Sequence, residues 1–153
     1  MSVAFRRESD EEHLEPKFEL PIPPGPNYVT PAGLAQIEQR VAELEAAIHT
    51  TSDEEPLKAL KRDLRYWHNR QSTAQIAPVP HKDEAGIGSR VTFRLRGERQ
   101  AIDITGYDEA DPAHGRIAFS APLARALMGT GAGDFAEFAG EDDALEVIEV
   151  STV

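Results

Sequence analysis

The fold is indicated by residues 30–50, which read TPAGLAQIEQRVAELEAAIHT. Apolar side chains recur along this stretch at alternating spacings of three and four residues, at Leu34, Ile37, Val41, Leu44 and Ile48. This period is typical of the apolar seam of a coiled coil, whose a and d positions face a partner helix. Thr30 is a suitable N-cap, and Pro31 suits the first helical position. The stretch therefore predicts an amphipathic helix that needs a partner.

A second seam follows after a short polar interruption. The same spacings separate Leu57, Leu60, Leu64, Trp67, Gln71 and Ala74. Ser52 and Glu55, just before this seam, fit a capping box at the start of a second helix. Two adjacent amphipathic helices with a short connection must fold back on each other to bury both stripes. We expect an antiparallel hairpin of helices with about 18 to 20 residues each, which makes it about 27 to 30 Å long.

From Pro78 onward the pattern changes to that of strands. Alternating apolar and polar residues, interrupted by turn residues, are typical of a half-buried antiparallel sheet. Strands are expected at residues 90–95, 100–105, 116–120, 134–138 and 145–150, and a short helix at residues 122–128, ended by Gly129. The predicted fold class is α+β: an N-terminal antiparallel helical hairpin, or coiled coil, followed by a small antiparallel sheet domain with one short helix.

Composition excludes several classes of protein. The 153 residues include 27 acidic and 16 basic side chains, a formal net charge of −11, and no cysteine. Without cysteine there are no disulfides, thiolate nucleophiles or cysteine-type zinc sites, which favours a reducing, cytoplasmic location. No apolar run approaches the roughly 20 residues of a membrane span, and the first residues do not form a secretory signal. We expect a cytoplasmic protein with no membrane partner.

The chain divides into three segments by composition. Residues 1–27 combine acids with five prolines, which predicts a flexible acidic tail. The predicted coiled coil covers residues 28–77, and the predicted sheet domain covers residues 78–153. One short part of the tail, residues 17–22, is apolar enough to lie along a folded surface.

The second helix has an unusual charge for so acidic a chain. From Leu57 onward its only acid is Asp63, and its bases are Lys58, Lys61, Arg62, Arg65 and Arg70. Two arrangements explain these bases, and the first is the simpler. They can pair with acids of the first helix, at Glu38, Glu43 and Glu45, as in a solvated coiled coil. Alternatively, they form a basic stripe that contacts nascent RNA or an acidic partner surface.

Three consecutive acids, Asp53, Glu54 and Glu55, stand at the turn between the two helices. Acids in a first helical turn are favoured by the helix dipole, which is a sufficient structural explanation. Carboxylates are also the ligands that Mg²⁺ prefers, so an action at a metal-dependent site remains open. The five histidines show no ligand spacing, and no Gly-rich phosphate loop is present. We therefore expect no cofactor or metal of the chain's own.

Three stretches of the chain resemble one known family. GYDEAD at residues 106–111 and SAPLARALMG at residues 120–129 are similar to the C-terminal domain of the GreA/GreB family of bacterial transcription elongation factors. YVTPAGL at residues 28–34 resembles the start of that family's first helix. Together with the matching order of elements, the resemblance covers about residues 28–152.

The resemblance implies a protein partner and a different role for each part of the chain. The sheet domain would be FKBP-like and bind the β and β′ subunits of RNA polymerase, while the coiled coil enters the secondary channel. Acids at the coil tip help hold a shared Mg²⁺ there, and the polymerase itself cleaves backtracked RNA. A factor of this kind is not an enzyme, and we expect a monomer. The implied polymerase contacts are Ser120, Pro122 and Arg125, with Asp108 and Glu109 in the loop beside them.

Two departures from the family pattern bear on the mechanism. Its cleavage factors have hairpins longer by about ten residues per helix, so the reach of this chain is shorter by about 15 Å. The family tip is Asp-x-x-Glu, whereas the acids here are consecutive. We therefore expect a factor that modulates or competes, with full stimulation of RNA cleavage as the alternative. A different alternative is a peptidyl-prolyl isomerase, which needs an aromatic pocket; the aromatic residues of this domain are Phe93, Tyr107, Phe119, Phe135 and Phe138.

Overall fold

The computed structural model describes residues 19–153. Residues 1–18 of the predicted flexible tail lie outside the described residues. The described chain divides into two compact units, one made of residues 19–25 and 37–73 and the other of residues 26–36 and 74–153. The start of the first helix and residues 74–77 therefore belong with the second unit.

The helical hairpin is present with the predicted helix lengths. Helix α1 runs over Pro31–Thr50 and helix α2 over Glu54–Thr73, each with 20 residues. At 1.5 Å per residue each helix is about 30 Å long. Ile37, Val41 and Leu44 of the first seam are buried, and Nε2 of His68 in α2 lies 3.5 Å from a carboxylate oxygen of Glu45 in α1.

Helix α1 begins as the sequence predicts. The backbone N–H of Leu34 donates to the Thr30 carbonyl at 2.9 Å, which is the first intrahelical hydrogen bond. The N–H of Gly33 donates to the Thr30 hydroxyl oxygen at 3.0 Å. Thr30 is therefore the N-cap of α1, because its side chain satisfies one of the donors that the first turn leaves unpaired.

Helix α2 begins one residue later than predicted. Its first intrahelical bond runs from the N–H of Leu57 to the Asp53 carbonyl at 3.1 Å, so Asp53 is the N-cap and the predicted capping box of Ser52 with Glu55 is wrong. Pro56 explains the shift. With Ser52 as N-cap, Pro56 would have to donate the first intrahelical bond, and proline has no N–H. With Asp53 as N-cap, Pro56 lies where no donor is needed.

The second unit contains a five-stranded sheet, a short two-stranded sheet and one short helix. In chain order the elements are β1 (Tyr28–Val29), β2 (Gln75–Ile76), β3 (Ser89–Leu95), β4 (Glu98–Thr105), β5 (Arg116–Ala118), α3 (Pro122–Leu127), β6 (Phe135–Phe138) and β7 (Glu141–Thr152). The strand order in the larger sheet is β5-β4-β3-β7-β6, and β1 pairs with β2 in parallel. The short parallel pair was not predicted from the sequence.

The larger sheet is mixed and not purely antiparallel, so that detail of the prediction is wrong. Strands β3, β4, β6 and β7 pair antiparallel, but β5 runs parallel to β4, with Asp103 opposite Arg116. The physical reason is the length of the connection. Residues 106–115 are too many for a hairpin turn and include a 3₁₀ turn at Pro112–His114, so the chain returns to the same end of the sheet before β5 begins.

Two tight turns set the register of the antiparallel strands. Arg96 and Gly97 join β3 to β4 with φ of 50° and 81°, and Ala139 and Gly140 join β6 to β7 with φ of 55° and 80°. Two consecutive residues with positive φ are typical of the type I′ turn, whose twist matches that of the strands. Because the second turn has only two residues, β7 begins at Glu141, earlier than predicted.

The core of the second unit lies between the larger sheet and α3. The side chains that are fully buried there include Val91, Phe93, Ile104, Leu127, Leu145 and Val147. Helix α3 contributes Ala124 and Leu127, while Leu123 packs against the core from a half-buried position. In the part of the chain that the structure describes, no helix is both long and apolar enough to cross a bilayer.

Candidate functional site

The tip of the hairpin presents three exposed carboxylates. Asp53, Glu54 and Glu55 occupy the N-cap and the first two positions of α2, where the helix dipole favours negative charge. The ammonium of Lys58 lies 3.7 Å from a carboxylate oxygen of Glu54 and 3.7 Å from one of Glu55. Within residues 19–153, no group of three or more His, Asp or Glu side chains is arranged to hold a metal ion. The tip is thus an exposed acidic end with one base beside it.

The predicted basic stripe is divided by the structure. Lys58, Lys61 and Arg65 are exposed, and we call these three residues the basic face of α2. Arg62 is half-buried and contacts Asp63 at 3.0 Å.

Arg70 is only 3% exposed, so its inclusion in an exposed stripe is wrong. Arg70 and Gln71 follow Trp67 by three and four residues along α2, so they lie on opposite flanks of the position below Trp67 on the helix. The seam prediction places Gln71 inward, but Gln71 is exposed and Arg70 is the buried flank.

The segment that precedes β1 contacts α2 through an ion pair between Glu19 and Arg65. The guanidinium of Arg65 donates to the Glu19 carboxylate from Nε at 2.8 and 3.1 Å, and Nη2 lies 2.6 Å from Oε2. These hydrogen bonds lower the pKa of Glu19 below its ordinary value of 4.5, and the charge of Arg62 acts in the same direction. They also raise the pKa of Arg65. Within the described part of residues 17–22, Glu19 therefore contacts a folded surface.

The start of α3 brings together three of the predicted polymerase contacts. Ser120, Pro122 and Arg125 are exposed, whereas Ala124 and Leu127 of the same helix are buried against the sheet. The helix therefore turns its apolar side chains inward and leaves these three available to a partner.

Glu109, another predicted polymerase contact, is held within the chain. Its carboxylate accepts hydrogen bonds from the backbone N–H of Thr30 at 3.2 Å, from the Thr30 hydroxyl at 2.8 Å and from the N–H of Gly106 at 3.2 Å. The adjacent Asp108 is half-buried. Sequence reasoning missed this role of Glu109, although both motifs that it joins were recognised separately.

Two glycines make room for the Glu109 carboxylate. A Cβ atom on Gly33 would collide with the Glu109 carboxylate. A Cβ atom on Gly106 would come within 2.5 Å of the Tyr28 carbonyl oxygen and 3.4 Å from the carboxylate. Residues 28–34 and 106–111 therefore meet in one packed contact, which we call the Glu109 clasp: Thr30, Gly33, Gly106 and Glu109.

The second unit also contains a cavity of about 760 Å³ with mainly aliphatic walls. The apolar residues that line it include Val29, Pro31, Val79, Ile87 and Val153, and none of the lining residues in the described chain is aromatic. The aromatic side chains of the domain are used elsewhere. Phe93 is fully buried in the core, and Phe119 packs edge-to-face on Tyr28 with ring centroids 5.7 Å apart.

Comparison with known proteins identifies the second unit. Residues 80–152 match the family model described as "Transcription elongation factor, GreA/GreB, C-term". Residues 80–152 are therefore similar to the C-terminal domain of the GreA/GreB family. This agrees with the resemblance of residues 106–111 and 120–129, which both lie inside the matched region.

Relatives in the GreA/GreB family share different lengths with this chain. Transcription elongation factor GreA of Pseudomonas aeruginosa is 28% identical in an alignment of 128 positions that covers 75% of this chain and 81% of that protein. GreA of Lactococcus lactis subsp. cremoris strain MG1363 is 41% identical over 58 residues, 37% of each chain. The alignment with this relative therefore spans little more than a third of its length. The crystal structure of GreA factor homolog 1 of Thermus thermophilus is 18% identical, with a TM-score of 0.40 over 83% of this chain and 99% of that one.

Proposed function

We propose that this protein is a transcription elongation factor of the GreA/GreB type that binds bacterial RNA polymerase. The sheet domain would dock on the β and β′ subunits through Ser120, Pro122 and Arg125, and the hairpin would enter the secondary channel. The names of the relatives and the match over residues 80–152 support this assignment. The observation that carries it is the hairpin itself, whose turn presents Asp53, Glu54 and Glu55 exposed at its tip.

The length of the hairpin favours modulation or competition over stimulated cleavage. Each helix has 20 residues, so the hairpin reaches about 30 Å. A helix shorter by about ten residues than in the cleavage factors stops about 15 Å earlier. A carboxylate must approach Mg²⁺ to about 2 Å to bind it, so a tip that stops short cannot serve as a ligand. The tip acids would then act through space on charged groups in the channel.

The chemistry in this proposal belongs to the polymerase. The protein would supply no catalytic residue, and any Mg²⁺ near its tip would be the polymerase's own. It would act as a cytoplasmic monomer, with the nascent RNA as a possible contact of the basic face. The aliphatic walls of the cavity in the second unit give no support to prolyl isomerisation, and we expect an isomerase assay on a proline peptide to give the background rate.

The deciding experiment uses a stalled, backtracked elongation complex with labelled RNA. We expect that RNA cleavage in the presence of this protein will be no faster than cleavage by polymerase alone. In excess, it should slow the cleavage stimulated by a full-length GreA such as that of Pseudomonas aeruginosa, since both would occupy one channel. Shortened RNA with this protein alone would overturn the reach argument. No effect on GreA-stimulated cleavage, together with no recovery of β and β′ in a pull-down, would overturn polymerase binding.

A further inference from the structure

The two edges of the larger sheet differ in how their backbone groups are used. Strand β5 forms one edge and β6 forms the other. At the β5 edge, the N–H of Arg116 donates to the Asp111 carbonyl at 3.1 Å, and the N–H of Asp111 donates to the Arg116 carbonyl at 2.7 Å. The Ala118 carbonyl accepts the N–H of Ala121 at 2.9 Å. The chain therefore closes this edge with its own backbone.

The β6 edge has no such cover within residues 19–153. Strand β6 is hydrogen-bonded to β7 alone. The N–H of Val147 in β7 donates to the Asp134 carbonyl at 2.8 Å, so the backbone of Asp134 faces β7. Because alternate residues of an antiparallel strand point their N–H and C=O groups toward the partner strand, Ala136 faces β7 as well, whereas the backbone groups of Phe135 and Glu137 point away from it. An open edge of this kind is a template for the addition of another strand.

The side chains at the open edge are aromatic and acidic. Phe135 is 56% exposed, and the exposed Glu137, two residues later, lies on the same face of the sheet. Strand β7 departs from regular register beside Glu137, and the exposed Asp142 and Asp143 lie in this irregular part. No ion pair involves these three carboxylates in the described chain, and the sequence has no lysine or arginine after Arg125. The edge therefore combines free backbone groups with one apolar and three negatively charged side chains.

We propose that the β6 edge binds an extended basic segment of a partner protein, which adds to the larger sheet as a sixth strand. The backbone groups of Phe135 and Glu137 form the hydrogen bonds to this segment. Because side chains alternate along a strand, the segment places a lysine or arginine beside Glu137 and an apolar residue, two positions away, beside Phe135. The backbone supplies affinity, and the two side chains supply specificity.

Charge favours a basic partner over a second copy of the chain at this edge. Two β6 edges side by side would bring Glu137, Asp142 and Asp143 of both copies together, and like charges on neighbouring strands are destabilising. The net charge of −11 adds to this repulsion. A segment with lysine or arginine instead meets the opposite charge at the same positions.

The added strand is tested by NMR on the full-length protein, with an end-blocked peptide of sequence TKTVTKT as probe. The amide signals of Phe135 and Glu137 should shift most, whereas those of Arg116 and Ala118, at the closed edge, should shift little. We expect a Kd of about 1 mM or lower. Binding should weaken between about 50 and 500 mM salt, because salt screens exposed charges.

The control peptide TETVTET reverses the charges and keeps the residues that favour strands, and it should not bind. Equal shifts at both edges of the sheet would show that the peptide attaches without adding a strand. That result, or no shift with about 5 mM of the basic peptide, would overturn the proposal.

Two substitutions at one position separate strand addition from attraction between charges. Glu137→Gln removes the charge alone, whereas Glu137→Pro also removes the N–H that points away from β7. Proline is tolerated on an edge strand at such a position. We expect the proline variant to bind the peptide about fivefold or more weakly than the glutamine variant, since one backbone hydrogen bond is lost. Unchanged amide signals of Leu145 and Val147 in β7 would show that the sheet is intact. Equal binding by the two variants would mean that charge alone holds the peptide, and the proposal would fail.

A TKTVTKT peptide with every amide N-methylated tests the same point without changing the protein. It keeps both lysines but cannot donate backbone hydrogen bonds, so it should not bind. Binding as tight as that of the parent peptide would contradict strand addition.

The second copy is tested by sedimentation of the protein alone, which we expect to be monomeric. A dimer that Glu137→Pro dissociates would assign the edge to a second copy and overturn the basic partner. No polymerase takes part in these assays, so their result is independent of the proposed transcription function.

Discussion

Glu109 accepts hydrogen bonds from both the backbone N–H and the hydroxyl of Thr30, a residue 79 positions earlier in the chain. The Thr30 hydroxyl has one proton to donate, and its oxygen in turn accepts the N–H of Gly33 at 3.0 Å. Glu109 thus orients the N-cap of α1. The start of the hairpin is tied in this way to the loop between β4 and β5, inside the second unit.

Removal of the Glu109 carboxylate should destabilise the protein. Glu109→Ala leaves the N–H groups of Thr30 and Gly106 without their acceptor in a half-buried position. We expect a loss of about 1 to 3 kcal/mol in the free energy of unfolding. Urea denaturation measures this free energy. The control is Glu137→Ala, at an exposed position of β6, whose free energy of unfolding should stay within about 0.5 kcal/mol of the parent value. Equal stability of the two variants would mean that the clasp contributes nothing.

Gly33→Ala should destabilise the protein although alanine is the better helix former. The new Cβ would displace the Glu109 carboxylate, which is the movable end of a flexible side chain, and so break its hydrogen bonds. The cost is therefore limited to about the cost of Glu109→Ala, offset by up to about 1 kcal/mol of helix propensity.

A double-mutant cycle distinguishes this mechanism from ordinary overpacking. In the Glu109→Ala background the collision is absent, so Gly33→Ala should become neutral or stabilising. The two substitutions should then be non-additive by about 1 kcal/mol or more. Simple additivity would show that the Cβ meets some other obstacle.

The hairpin could be predicted because it depends on a repeating local pattern. The spacing of Ile37, Val41 and Leu44 determines which face of α1 is buried, whatever the rest of the chain does. The positions of the strands followed for the same reason from alternation and from turn residues, although β7 begins at Glu141 and not at the predicted residue 145. The start of α2 was missed by one residue, although Pro56 carried the information: a residue without an N–H cannot donate the first helical bond.

What the sequence did not reveal depends on contacts between distant residues. No residue near Glu109 in the sequence indicates that its carboxylate accepts hydrogen bonds from Thr30. Likewise, no residue near Arg70 indicates that Arg70 is buried while Gln71 is exposed. The parallel pairing of β5 likewise depends on the path of a ten-residue loop and not on the alternation within the strand. Asp53 and Arg125 are exposed, which local pattern was enough to predict, because one caps α2 and the other lies on the outer face of α3.

The Glu19–Arg65 pair predicts that the stability of the folded chain depends on pH. Hydrogen bonding to Arg65 holds the pKa of Glu19 below 4.5, so the pair stabilises the folded chain at neutral pH. That contribution is complete above pH 4.5 and is lost as the pH falls through the lowered pKa. NMR titration of the Glu19 carboxyl measures this pKa. In Arg65→Gln the pKa of Glu19 should rise toward 4.5, whereas Arg94→Gln, which removes a pair with Glu146, should leave it unchanged.

Reversal of the charge of Arg125 should weaken polymerase binding without affecting the fold. Arg125 is exposed on α3 while its neighbours Ala124 and Leu127 fill the core, so Arg125→Glu leaves the packing intact. Loss of one well-formed charged contact at an interface costs about 2 kcal/mol or more, which is roughly thirtyfold in affinity. Arg99→Glu, an exposed position on β4, is the matched control. Similar binding of both variants would show that α3 lies outside the interface.

The negative charges of the tip acids can be tested separately from the role of these residues at the start of α2. Asp53→Asn keeps an effective N-cap, because asparagine caps as well as aspartate does. Combined with Glu54→Gln and Glu55→Gln, it removes three charges at a cost of about 1 to 3 kcal/mol in helix-dipole interactions. We expect a folded protein that binds polymerase normally but no longer slows GreA-stimulated cleavage as strongly as the parent chain.

Asp53→Ala alone should instead lower the melting temperature and keep most of the inhibition, since Glu54 and Glu55 remain. If the triple variant inhibited as well as the parent, the tip charges would have no part in the mechanism, and steric occupation of the channel would be sufficient.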